Sequence, residues 1–205
     1  MFSVGVLLFD QFQTLDVFGP VEVFGRNQSV YQVRFYSIHG EAISNDHGIL
    51  IYTEPLSAIT EEGVDVLVIP GGHGTRKMIE NAEFIDALRH ISILSEYLLT
   101  VCTGSALLAK TGLLKNKKAT TNKKAYHWVT ATTPDVAWQQ SARWVVDGKF
   151  YTSSGVSAGT DMSLGFLSDQ FGSAFARKVA RDMEYNWQED KDQDPFTNNV
   201  YLGTN

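Results

Sequence analysis

The chain has 205 residues, a net charge of −6 and 43% apolar residues, enough for one sizeable buried core. Its single cysteine excludes an intrachain disulfide, and the opening Met1-Phe2-Ser3-Val4 has no basic segment before the apolar run ends at Asp10, so the sequence reads as that of a reducing, cytoplasmic protein. The acidic balance disfavours nucleic-acid binding, and no apolar run approaches the ~20 residues of a membrane span.

In chain order, short and nearly continuous apolar runs cover residues 4–9, 33–38, 64–69 and 98–101, the pattern of strands buried on both faces. Helical patterns cover residues 15–25, 83–95, 105–110, 124–130, 157–171 and 174–186. This alternation predicts an α/β protein, a flavodoxin-like three-layer sandwich with a mostly parallel sheet and helices on both faces. Residues 43–53 around Gly48, and 142–153 around Asp147-Gly148, read as small β-hairpins. Residues 1–187 are expected to form a single domain. Residues 188–205, acidic and turn-rich, are expected to be a polar tail that is mobile or only loosely packed.

Cys102 closes the run 98–101, and Thr103-Gly104-Ser105-Ala106 opens a helical pattern. A thiol on such a strand-to-helix turn, a nucleophile elbow, sits over free helix N–H groups, whose dipole is expected to lower its pKa. An isolated cysteine is otherwise a common core filler, so neighbouring groups decide the matter. The strand 64–69 runs into Pro70-Gly71-Gly72-His73-Gly74, which belongs at the same sheet edge as Cys102. Gly71 and Gly72 are candidate oxyanion donors and His73 a rim residue, against the plainer reading of a tight turn with an exposed histidine. Asp16, just past the first strand, is the candidate general acid/base if burial raises its pKa; Glu22 is the less favoured carboxylate, pointing away from the helix start. No metal-ligand cluster and no cofactor motif is read.

Leu15-Asp16-Val17-Phe18-Gly19-Pro20, Ile69-Pro70-Gly71-Gly72 and Val101-Cys102-Thr103-Gly104-Ser105 together resemble the ThiJ/PfpI superfamily, the cysteine relatives of class I glutamine amidotransferase domains. Ala119-Thr120-Thr121, Asp147-Gly148 and Gly155-Val156-Ser157-Ala158-Gly159-Thr160-Asp161-Met162 extend the resemblance over roughly residues 4–184. Asp16 with Cys-Thr-Gly-Ser is most similar to the isonitrile hydratase branch. That resemblance implies a cysteine-dependent lyase with no cofactor, in which Cys102 attacks the isonitrile carbon, Asp16 moves the proton, Thr103 orients the intermediate or water, and Gly72 supports the developing charge. It also implies a homodimer acting on a small molecule.

Many members place a histidine after the Thr-Thr pair, where this chain has Asn122. His127 arrives later and is either a displaced base or, more simply, a helix histidine without a role. Asp161 is either a motif residue of the site or a helix-start acid. The cluster Lys115, Lys117, Lys118, Lys123 and Lys124 reads as solvated surface, and Arg143 as a structural ion-pair partner. Competing readings are an amidase, glyoxalase, deglycase or peptidase on the same thiol, and a cysteine redox sensor or chaperone.

Overall fold

Alternate residues of the apolar runs face opposite layers. Val4, Val6, Val66, Val68 and Leu99 pack in one core, whereas Leu7, Leu67, Ile69 and Leu98 pack in the other. A strand buried on both faces needs no polar side, which is why these runs are continuously apolar. The computed structural model describes residues 1–199. Its elements are β1 (Phe2–Leu7), α1 (Thr14–Gly25), β2 (Tyr31–Ser37), β3 (Ala42–Ser44), β4 (Leu50–Tyr52), β5 (Glu54–Pro55), α2 (Ser57–Glu62), β6 (Val66–Ile69), α3 (Thr75–Met78), α4 (Ala82–Leu94), β7 (Tyr97–Thr100), α5 (Gly104–Lys110), β8 (Lys118–Ala119), α6 (Tyr126–Thr132), β9 (Ala137–Trp138), β10 (Trp144–Asp147), β11 (Phe150–Ser153), α7 (Ala158–Phe171) and α8 (Ser173–Asp182).

The central sheet has the order β10-β11-β7-β6-β1-β2-β5. All its pairings are parallel except β10 with β11, where Trp144 lies opposite Ser153. Helices α1, α7 and α8 contribute to one core, and α2, α4, α5 and α6 to the other. This is the expected flavodoxin-like sandwich. β1 stands between β2 and β6, so successive connections leave it in opposite directions. The loops after β1 and β6 therefore part at the strands' carboxyl ends, where open α/β sheets take ligands.

Both hairpins form. β3 pairs antiparallel with β4 as a separate ribbon, while the β10–β11 hairpin joins the main sheet through β11 and β7. The last helix ends four residues before the expected Asn186, because Glu184 turns left-handed (φ 51°) and the Tyr185 N–H returns to the Ala180 carbonyl. The short α2 and α3, and the two-residue β5, β8 and β9, carry too little periodicity to be read from sequence.

The expectation of a loosely packed tail is corrected over its described part. The Lys191 carbonyl accepts the Arg143 N–H at 2.8 Å, the Asp194 N–H reaches the Ser141 carbonyl at 2.7 Å, and Asp194 is buried. Buried cations that need a carboxylate hold the segment, so its polar composition misleads. Residues 200–205 of that tail lie outside the described residues. No helix among the described residues is long and apolar enough to cross a membrane.

Candidate active site

Cys102 lies between β7 and α5 with a left-handed backbone, φ 58°. A side-chain-bearing residue in that conformation stores about 1–3 kcal/mol and persists only where its surroundings fix it. Here three bonds do so. The Cys102 N–H donates to the Ser154 carbonyl at 3.2 Å, and the Cys102 carbonyl accepts the hydroxyls of Thr121 and Ser105, each at 3.0 Å.

The loops after β1 and β6 bring Asp16 and Gly71 to the same place. Gly71 donates its N–H to Asp16 Oδ2 at 2.9 Å, and Gly72 donates to Thr103 Oγ1 at 3.1 Å. Thr75 Oγ1 donates to the Gly72 carbonyl at 2.7 Å and lies 3.2 Å from Thr103 Oγ1. A Cβ on Gly71 would stand 2.6 Å from the Thr103 backbone nitrogen and 2.9 Å from Asp16 Oδ2, so only glycine fits between these two groups. Gly72, at φ 129°, has a backbone that other residues rarely adopt. Both glycine N–H groups are therefore already engaged, one holding the acid and the other the threonine.

Asp16 is fully buried, and its Oδ1 has no hydrogen-bond partner. The Cys102 thiol is the other group that interacts with this carboxyl. Burial dominates and pushes its pKa up to about 8, against the smaller opposing effects of the Gly71 N–H and the thiol. Near neutral pH it is a carboxylic acid. The thiol does not show the expected lowering. Burial first and the Asp16 carboxyl second drive its pKa well above the ordinary 9.0, outweighing donors from Thr103 and Asn122. The helix-start N–H groups are present, but desolvation of a residue only 6% exposed wins.

The remaining candidates divide clearly. Asn122, half-buried, directs its amide to the thiol, lies against Gly155 and accepts the Ala125 N–H at 2.9 Å through Oδ1. It stands where a base would be but supplies a hydrogen bond. His127 is exposed, its ring against Tyr126, and is not a displaced base at the thiol. His73 points outward, its side chain 82% exposed and Nδ1 3.3 Å from Asp46. Glu22 pairs with Arg26 on the surface.

Asp161 lies apart from the thiol as the buried partner of Arg143, 2.6 Å from Nη2 and 2.7 Å from Nε. It is neither a simple helix-start acid nor a group in contact with the reacting atoms. Lys123 corrects the solvated-cluster reading. Its side chain is 3% exposed, and its ammonium donates to the Ala142 carbonyl at 2.6 Å and Thr120 Oγ1 at 2.9 Å. Among the described residues no group of three or more His, Cys, Asp or Glu side chains is placed to hold a metal ion. A cleft of about 550 Å3 lined by Asp10, Gln11, Ile38, Glu41, Met78 and Phe84 includes neither Cys102 nor Asp16.

A model of the DJ-1/PfpI family matches residues 2–169. The chain belongs to the DJ-1/PfpI family. This DJ-1/PfpI protein is 31% identical over 184 residues to an isonitrile hydratase of Pseudomonas putida, a match covering 89% of this chain and 78% of the relative. It is 24% identical to the helix-turn-helix transcriptional regulator GbdR of Pseudomonas aeruginosa, over 99% of this chain but only 56% of the regulator. A crystal structure of a ThiJ/PfpI family protein from Pseudomonas syringae superposes with a TM-score of 0.80 at 25% identity, covering 90% of this chain and 75% of that one. Drosophila melanogaster DJ-1beta, at 21% identity and a TM-score of 0.77 over 91% of this chain and 99% of its own, shares the fold.

Proposed function

We propose that the protein hydrates isonitriles to N-substituted formamides through a Cys102 thioimidate. The observation that carries the reading is the pairing of a buried thiol with a carboxyl that keeps its proton near neutral pH and has one oxygen without a polar partner. An isonitrile carbon needs a proton and a sulfur in the same step, and an acid held neutral by burial supplies the proton without ionising first. The slender, linear tip of an isonitrile also suits the thiol of a buried cysteine better than a planar peptide or a branched sugar adduct does.

In this reading the sulfur bonds to the isonitrile carbon while Asp16 protonates that carbon and the thiol proton passes to the carboxyl. The product is Cys–S–CH=N–R. Water then adds to the same carbon and the nitrogen is protonated. The C–S bond breaks with return of a proton to sulfur, releasing R–NH–CHO and the thiol. Thr103, fixed by Gly72 and Thr75, orients the water or intermediate, and Asn122 donates to the sulfur when it leaves as an anion. The turn at Cys102 acts as the nucleophile elbow. A cytoplasmic homodimer acting on a small molecule without cofactor or nucleic acid is part of the same reading.

The 31% identity to the Pseudomonas putida isonitrile hydratase supports this choice within the family. A raised thiol pKa weighs against an oxidation sensor, which needs a readily ionised sulfur. An exposed His127 weighs against a Cys-His hydrolase. The test is turnover of cyclohexyl isocyanide, methylglyoxal and a peptide amide by wild type and Cys102→Ala. Formamide formation that vanishes in Cys102→Ala is expected; no formamide from a protein whose thiol still alkylates would overturn the proposal.

A further inference from the structure

The segment carrying Gln188 and Asp194 lies beyond residues 2–169, where the family model matches. It nevertheless completes the buried charges next to the thiol's supports. Asp194, its side chain fully buried, stands 3.4 Å from Arg143 Nη1 and 3.7 Å from Lys123 Nζ. The Arg143 guanidinium also holds Asp161, whose Oδ1 accepts the Gln188 N–H at 3.0 Å. Each cation adjoins a group that fixes Cys102. The Arg143 carbonyl accepts the Ser154 N–H at 2.8 Å, and the Ser154 carbonyl accepts the Cys102 N–H. Lys123 follows Asn122, which reaches the sulfur, and Thr121, which holds the Cys102 carbonyl. Two of the three bonds that maintain the left-handed turn thus come from segments that this network ties down. The third, from Ser105, belongs to α5 itself.

We propose that Asp194 is a positioning residue for Cys102, a C-terminal strap whose carboxylate joins Lys123 and Arg143 and so holds the 120–123 and 153–155 segments against the strained turn. The inference rests on Cys102 being the reactive residue and not on which substrate it takes. With the strap carboxylate gone, two buried cations lose a shared partner, the loops relax, and the thiol becomes more exposed to water and to reagents.

The test is the rate of Cys102 alkylation by iodoacetamide at pH 7, where Lys123, whose pKa burial lowers to about 8, is still an ammonium, well below each variant's unfolding temperature and with Cys102→Ala as blank. Asp194→Asn is expected to speed alkylation about tenfold, because a thiol better reached by water ionises more readily. Asp194→Glu should return the rate toward wild type. Lys123→Met removes a charge of the opposite sign, so a purely electrostatic effect would slow alkylation there, whereas loss of positioning speeds it in both variants. Arg177→Ala breaks the exposed 2.9 Å pair with Glu189 beside the strap and should change nothing. Unchanged alkylation in folded Asp194→Asn, or opposite changes in Asp194→Asn and Lys123→Met, would overturn the proposal. If Asp194→Asn does not fold, Lys123→Met decides: faster alkylation supports positioning, and an equal or slower rate refutes it. No substrate enters these measurements, so failure of isonitrile hydration leaves their outcome intact.

Discussion

Replacing Asp16 with asparagine should abolish turnover and stabilise the protein at neutral pH. In the folded chain the carboxyl keeps its proton up to about 8, whereas its ordinary value is 3.8. Between those values the folded state binds the proton and the unfolded state does not, so stability falls as pH rises. The cost at pH 7 is about 4 kcal/mol, most of which, about 3 kcal/mol, arises between pH 5 and pH 7. Asparagine carries no proton to lose. It can still accept the Gly71 N–H, but its amide group next to the thiol lacks a strong acceptor, which costs about 1–3 kcal/mol. The variant should therefore be about 1–3 kcal/mol more stable than wild type at pH 7, with the difference shrinking or reversing by pH 5. Urea unfolding followed by tryptophan fluorescence at both pH values measures this. The change in the difference with pH is the decisive quantity, because contacts of the new amide and the other titrating groups cancel from it. A difference that is the same at pH 5 and pH 7 would show that Asp16 is not held protonated, and the acid role would fall with it.

Four further outcomes are expected. On the hydratase reading, kcat/KM should fall as pH rises through about 8, where Asp16 gives up its proton; a rate that climbs through that range would point to the thiolate as the limiting species. Gly71→Ala places a methyl between Thr103 and Asp16 and should cut turnover at least about tenfold, equal to ~1.4 kcal/mol of barrier, with unchanged circular dichroism. Arg143→Leu leaves the buried Asp161 and Asp194 without their guanidinium and should cost about 3–5 kcal/mol in urea unfolding. Asn122→Ala removes a donor to sulfur, so thiol alkylation at pH 8 should slow about three- to tenfold.

The layered fold was readable because strands buried on both faces leave an unmistakable apolar run, and because Gly48 and Asp147-Gly148 mark their hairpins locally. Asp16, Cys102 and Thr103 were readable as residues at strand ends, and the choice of Asp16 over Glu22 followed from position along α1. The thiol's pKa was not readable. The helix start is visible in sequence, but desolvation depends on packing from distant segments, and it prevails. Nor was the work of Gly71 and Gly72: a glycine pair announces close approach without saying whether a ligand or the protein's own Asp16 and Thr103 occupies the N–H groups. Lys123 and Asp194 look like solvated charges in any local window, and only the fold joins residues so far apart in sequence.

The left-handed turn at Cys102 draws its bonds from Thr121 and Ser154, and Ser154 directly follows β11, which docks on β7 through parallel pairing. Such pairing closes a long stretch of chain and comes slowly in folding. A refolding molecule therefore keeps its one thiol sulfur open to reagents until the far side of the sheet has assembled. Pulse-labelling that single atom during refolding would time the arrival of β11 without introducing a probe.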